Sequence, residues 1–223
     1  MTTWDEAEPA SVADLVAWAE PQPWARAMAA CAQDKGWHAE GDVWAHTKLV
    51  AAELERLTEW PAFDRADRLK LALTALFHDA GKPATTATDP ATGRVRAPKH
   101  ALVGMRIARD VLRDLGCPLG FREDVANLVR YHGRPPHLLE KPDPAREVIG
   151  LSWAVDHRLL HAFALADTRG RTTADTGRAE DAVHLWKVAA EEAGCFGRPY
   201  PFANDHARFL FFRGALSSLY CAR

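Results

Sequence analysis

Six residues spread along the chain have the right chemistry to act together: His46, His78, Asp79, His100, His132 and Asp167. Imidazole and carboxylate are good ligands for first-row transition metals. They are also ordinary buried polar groups, so the face each occupies matters. His46 shares a stripe with Leu49, Val50 and Leu57, and His78 follows Leu71 and Ala75. His100 heads the stripe Val103, Gly104, Ile107, Val111; His132 closes Val125, Leu128, Val129; Asp167 follows Leu160 and Phe163. Helical spacing puts each polar residue in register with an apolar, core-facing side. Taken singly, a histidine on such a face is more often a hydrogen-bonded core residue than a ligand. Taken together, six such groups left unpaired would each cost on the order of several kcal/mol. A shared divalent ion would satisfy them at once.

The stretch LFHDAGKP sharpens this expectation. An apolar helix runs into His78-Asp79 and stops at Gly81 and Pro83, placing a carboxylate at the helix end that repels anions. A common cation would neutralise Asp79. Adjacent side chains on a helix diverge by about 100°. Either the last turn is distorted so that both residues reach one ion, or Asp79 bridges two ions while His78 binds one. Both arrangements leave positions open for water, as a catalytic site requires. Lys82, four residues past His78, falls on the same side if the turn continues, where its ammonium could meet an anionic ligand. Its plainer role is that of a solvated lysine complementing the helix dipole.

The following segment is basic. Between Ala80 and Arg109 stand Lys82, Arg94, Arg96, Lys99, Arg106 and Arg109 against the single acid Asp89, with Thr85, Thr86, Thr88 and Thr92 among them. Such a surface suits the phosphates of one or two nucleotides. Arg134, beside His132, and Arg169 and Arg171, beyond Asp167, are further phosphate-binding candidates by proximity to the expected ligands.

Positioning these groups requires helices, and helical periodicity dominates the chain. The pattern predicts helices near 11–35 (broken around Pro21 and Pro23), 42–59, 64–79, 99–115, 121–132, 144–153, 155–168, 176–193 and 205–220. Asp42, Asp64 and Asp205 are expected N-caps, with Gly116 and Gly194 as stops. The long irregular stretch is 80–98, and loops of that length are usually functional. Tryptophans such as Trp18, Trp153 and Trp186 sit at core spacing, while His157, His161 and His184 show no partner pattern. With 223 residues and no repeat or composition shift, the expectation is one all-α domain over 1–223. A net charge of -2 argues against a protein that coats nucleic acid through overall charge. Four scattered cysteines, no secretory leader and no membrane-length apolar run point to the cytoplasm.

The ordered set His46, His78-Asp79, Asp167 resembles the HD superfamily of metal-dependent phosphohydrolases. The motifs are GDVWAHTKLV, LFHDAGKP, APKHALVGMRIA, LVRYHGRPP and LADTRGR, covering about 42–171, with 172–223 as a helical extension. The resemblance implies a single HD-domain helical bundle with a metal site at its centre. It implies one or two divalent transition-metal ions (Mn, Co, Ni, Zn or Fe). His46, His78, Asp79 and Asp167 would hold the first, His100 and His132 the second, with Asp79 bridging. Asp79 and Lys82 would be catalytic, and Lys82, Arg96, Lys99, Arg134 and Arg169 would bind substrate phosphate.

HDAGKPATT, GRVRAPKHALVG and RPYPFANDHARFLFFR look further like the HD module of bacterial RNA end-healing proteins. That module removes 2′,3′-cyclic, 2′- or 3′-phosphates from RNA ends and precedes a polynucleotide kinase module. This chain has no G-x-x-x-x-G-K-[ST] phosphate loop, so a kinase partner would be fused beyond it or act in trans. HD modules of CCA-adding tRNA nucleotidyltransferases share GDVW-x-H and HD-x-GKP. The alternatives are hydrolysis of other small nucleotides, or a non-catalytic, metal-stabilised module of a larger RNA-processing protein.

Overall fold

The computed structural model describes residues 2–7, 10–33, 41–172 and 176–215 and is helical nearly throughout. The chain opens with α1 (Trp4–Ala7), α2 (Val12–Ala19) and α3 (Pro23–Ala29). The helix predicted over 11–35 is therefore two helices. Pro23 occupies the first turn of α3, where its missing N–H costs nothing. Past α3, Ala32 forms an isolated antiparallel bridge with Asp42.

Asp42 and Asp64 start the next two helices, α4 (Val43–Arg56) and α5 (Arg65–Phe77), by accepting the N–H of Ala45 and Asp67 at 2.8 Å. Segment 80–98 is more ordered than expected. It holds the one-turn helix α6 (Lys82–Thr85) and a short antiparallel hairpin of β1 (Ala87–Thr88) on β2 (Val95–Arg96). Then come α7 (His100–Asp114) and α8 (Leu119–Tyr131), separated by Gly116 in the left-handed conformation. A 3-10 turn over Pro135–Glu140 leads to α9 (Pro144–Leu151), α10 (His157–Arg169) and α11 (Thr176–Glu192). Last is α12 (Asp205–Phe212), capped by Asn204 rather than Asp205 and shorter than the predicted 205–220. Positions 216–220 of that prediction lie outside the described residues.

Two helices form the centre. Leu71–Phe77 of α5 and Leu159–Thr168 of α10 are buried without interruption, the mark of helices covered on every side. Around them pack α4, α8 and α11. Close approaches set the register. A Cβ on Gly104 of α7 would lie 2.9 Å from the Phe77 carbonyl, and one on Gly81 would lie 2.1 Å from the His100 carbonyl. The glycines let the start of α7 rest on the end of α5, bringing His100 beside His78-Asp79. Likewise a Cβ on Gly170 would meet Val50 at 2.8 Å, so the end of α10 can lie against α4. Trp186 is fully buried, but Trp153 is 42% exposed, contrary to the core position its spacing predicts. Its indole donates to the Tyr200 carbonyl, and Arg208 stacks on its face. No helix among the described residues is long and apolar enough to cross a membrane.

Candidate metal centre

The six residues meet where α4, α5, α7, α8 and α10 converge, forming two adjoining groups: His46, His78 and Asp167, and Asp79, His100 and His132. Within each group the ligand atoms lie within 4.8 Å of one another. Asp79 spans the two. Its Oδ2 is 3.2 Å from His78 Nε2 and its Oδ1 is 3.4 Å from His100 Nε2. The helix has already ended here: α5 stops at Phe77 and His78 is its C-cap. The turn that follows brings Asp79 beside His78 while Asp79 belongs to the group of His100 and His132, a placement that serves either arrangement the HDAGKP stretch allows.

Backbone carbonyls fix the imidazoles. Nδ1 of His78, His100 and His132 lies 2.8 Å from the carbonyl oxygens of Ala75, Ala97 and Val129, each three residues earlier. A carbonyl only accepts, so Nδ1–H donates and the neutral ring carries its lone pair on Nε2. All three Nε2 atoms face the centre. His78 Nε2 is buried without a hydrogen bond; the Asp79 oxygen 3.2 Å away is an acceptor and cannot serve a lone pair. His100 and His132 Nε2 stand 3.4 Å apart with lone pairs opposed. His46 sits between two acceptors, the Gly170 carbonyl at 3.3 Å and Asp167 Oδ1 at 3.0 Å, and a neutral ring can donate to only one. Opposed lone pairs beside carboxylates are what a cation would satisfy. The donor set of imidazole and carboxylate fits a divalent transition metal, with the Nδ1–H bonds serving as the outer contacts that orient such ligands.

Electrostatics keep the ligands ready. Burial raises Asp79, but Lys82, His78 and His100 outweigh it and hold its carboxyl well below the usual range. Burial likewise raises Asp167, and Arg171, His46 and His78 reverse the balance. Burial, then the neighbouring His78 and His100, push His132 down to about 3. Near neutral pH the two acids are thus anions and His132 is neutral, as ligation requires.

The centre opens through a cavity of about 270 Å³ whose lining includes Asp79, Lys82, His100, His132, Arg96 and Arg171. A larger cavity of about 650 Å³ between α9 and α12 holds neither ligand group. Lys82 Nζ is 2.7 Å from Asp79 Oδ2, and Arg171 is 2.6 Å from Asp167 Oδ2. Other expected phosphate-binding residues lie elsewhere. Arg134 pairs with Glu147 at 3.0 Å and Arg169 with Glu180 at 2.8 Å, and neither lines the cavity. Lys99 is also absent from the lining; it takes a left-handed conformation (φ 62°) as the N-cap of α7. Of the basic stretch between Ala80 and Arg109, Lys82 and Arg96 reach the cavity, while Arg109 is bound to Glu123 at 2.5 Å.

Sequence reasoning passed over Gln33, which is buried and accepts from Lys82 Nζ at 2.6 Å. No local pattern marks it, because the fold brings it in through the Ala32–Asp42 bridge. Arg171, a candidate by its place just beyond Asp167, is four residues past it and one turn along the same face, and it reaches the cavity.

Residues 43–154, half of the chain, match the HD domain family. A stretch of 89 residues is 45% identical to the CC-adding tRNA nucleotidyltransferase of Thermus thermophilus, covering 40% of this chain and 19% of that protein. The match therefore reaches about a fifth of that relative's length.

Proposed function

The chain belongs to the HD domain family, and from that premise we propose that it is a metal-dependent phosphohydrolase acting on the 2′,3′-cyclic, 2′- or 3′-phosphates of RNA ends or nucleotides. One observation carries the reading: two cations, Lys82 and Arg171, sit on the two carboxylates of the ligand groups and line the same cavity. Cations placed there are suited to the oxygens of a phosphoryl group in transfer. In this reading His46, His78, Asp79 and Asp167 would hold one ion, and His100 and His132 would hold a second together with Asp79. When bound, such ions supply Lewis-acid chemistry, acidifying a water and polarising a phosphoryl oxygen.

The chain's own residues do the rest. Asp79, held ionised, accepts a hydrogen bond from the attacking water and orients it toward phosphorus. Lys82 and Arg171 hold non-bridging oxygens, and Arg96 at the mouth takes the next phosphate or the ribose side. A cavity of about 270 Å³ lined by these cations suits a terminal phosphate. Cys117 and Cys195 are buried free thiols, and a cytoplasmic protein working with a kinase module belongs to the same proposal.

The test is phosphate release by the protein loaded in turn with Mn, Co, Ni, Zn or Fe. Substrates are RNA ending in 2′,3′-cyclic phosphate, RNA ending in 3′-phosphate, and a generic phosphoester. Release from RNA ends that the Asp79→Ala variant fails to give is the expected result. The partial match to a much longer tRNA nucleotidyltransferase favours a second reading, a helical module serving a larger RNA-processing protein. Silence with every metal, in a protein that still binds metal, would select that reading.

A further inference from the structure

We propose that Gln33 is a positioning residue that aims the Lys82 ammonium into the cavity. The inference rests on the phosphohydrolase reading for its purpose and on geometry for its substance. An ammonium has three N–H donors and no acceptor. At Lys82 one points to Asp79 Oδ2 at 2.7 Å and a second to Gln33 Oε1 at 2.6 Å. The third is left for the cavity, which both side chains line. With Asp79 alone as partner, the flexible lysine stem could pivot about one contact; a second acceptor fixes the direction of the remaining donor.

Gln33 is itself held. Its Nε2 donates to the Asp42 carbonyl at 3.2 Å, and Asp42 caps the helix that carries His46. The amide orientation follows from chemistry, since the ammonium requires the oxygen and the carbonyl requires the NH₂. Nearby, Cys31 Sγ lies 3.5 Å from Thr86 Oγ1, so Cys31 and Gln33 touch both ends of the one-turn helix that Lys82 begins. Gln33 thus links the start of α4 to the lysine beside Asp79.

The test compares Gln33→Met, which removes the acceptor, with Gln33→Glu, which keeps an oxygen for Lys82 but loses the donor to Asp42. The first readout needs no catalysis: the rate at which an amine-acylating reagent modifies Lys82 in the intact protein, followed by mass spectrometry. Lys70, ion-paired to Asp67 and Asp124, serves as the internal reference. Lys82 labelling should rise several-fold in Gln33→Met and stay near wild type in Gln33→Glu, with Lys70 unchanged. Equal Lys82 rates in all three proteins would overturn the proposal. A parallel rise at Lys70 would also overturn it, because Gln33 would then serve the fold and not the lysine. The second readout is turnover of a phosphoester by the metal-loaded proteins. Gln33→Met should lower kcat about tenfold with metal content unchanged, and Gln33→Glu should restore most of it. If the wild type hydrolyses no phosphoester, the functional reading fails while the labelling still decides the role of Gln33.

Discussion

Two groups of histidines differ in what their second nitrogen meets. At the ligand centre, His78, His100 and His132 each spend Nδ1–H on a carbonyl three residues back and turn Nε2 toward other acceptors or lone pairs. Beneath α11, His157 has both nitrogens matched: Nε2–H donates to the Val148 carbonyl at 2.9 Å, and Nδ1 accepts from the Trp186 indole at 3.3 Å. His161 and His184 pair with each other at 3.4 Å, one ring donating to the other. His78, His132, His157 and His161 are all buried, while His100 is half-buried and His184 exposed. In the first, Lys82 and Arg171 are bound to the carboxylates and the Nε2 lone pair of His78 is left for a further cation; in the second, both nitrogens of His157 are matched. Burial alone does not make a histidine a ligand, and the direction of the unused lone pair does.

The largest effect should come from removing the residue that joins the two ligand groups. Asp79→Ala is expected to lower turnover on the order of 10³-fold or more and to reduce bound metal by elemental analysis. Full activity in this variant would break the distinction between the groups, since the joined centre would then be dispensable. Lys82→Ala should be milder, about 10² to 10³-fold in kcat, with metal content retained. Metal lost together with rate would make Lys82 a structural partner of Asp79 and nothing more.

The third expectation concerns stability. At a free ion concentration one hundred times Kd, binding should add about 2.7 kcal/mol, a rise of roughly 5–10 °C in Tm for a chain of this size. His132→Ala should shrink that rise and His161→Ala should leave it intact, as read by thermal unfolding with metal or with a chelator. An equal loss in both would mean that the His161 pair also takes the ion.

How far the sequence foretells this contrast depends on range. Helical stripes carry His46, His78, His100, His132 and Asp167 onto core faces because that information is local. The nearness of His78 and Asp79 was readable as one of two arrangements, since Gly81 and Pro83 permit a distorted helix end. What periodicity could not supply was pairing between distant segments. Arg134 and Arg169 adjoin ligands in sequence, yet Glu147 and Glu180 hold them off the cavity. Gln33 is 49 residues from Lys82 and meets it only in the folded chain. The hairpin of β1 and β2 is too short to leave an alternating pattern, and the tryptophan partner that completes His157 lies 29 residues away.

A smaller effect tests the completed group. His157→Ala would leave the Trp186 N–H and the Val148 carbonyl without their shared partner, a cost of about 1–3 kcal/mol. Tm should fall while kcat and metal content stay put. A change in kcat without a change in Tm would tie this group to the reaction and erase the contrast.

The finest test is acid titration of the metal-free protein. Burial first, and His184 second, push His161 down to about 4 from 6.5. As pH falls below 6.5 the unfolded chain binds a proton there that the folded chain refuses until about 4. The residue's share of stability is therefore complete above 6.5 and drains away through that window. His161→Gln removes that proton difference. The slope of unfolding free energy against pH between 4 and 6.5 should then fall by up to about 1.4 kcal/mol per pH unit, measured by denaturant titration at each pH. The part of the slope due to His132, pushed down to about 3, should survive in this variant. Identical slopes in wild type and variant would mean that His161 charges freely in the folded protein, and that its pairing with His184 does not hold it neutral.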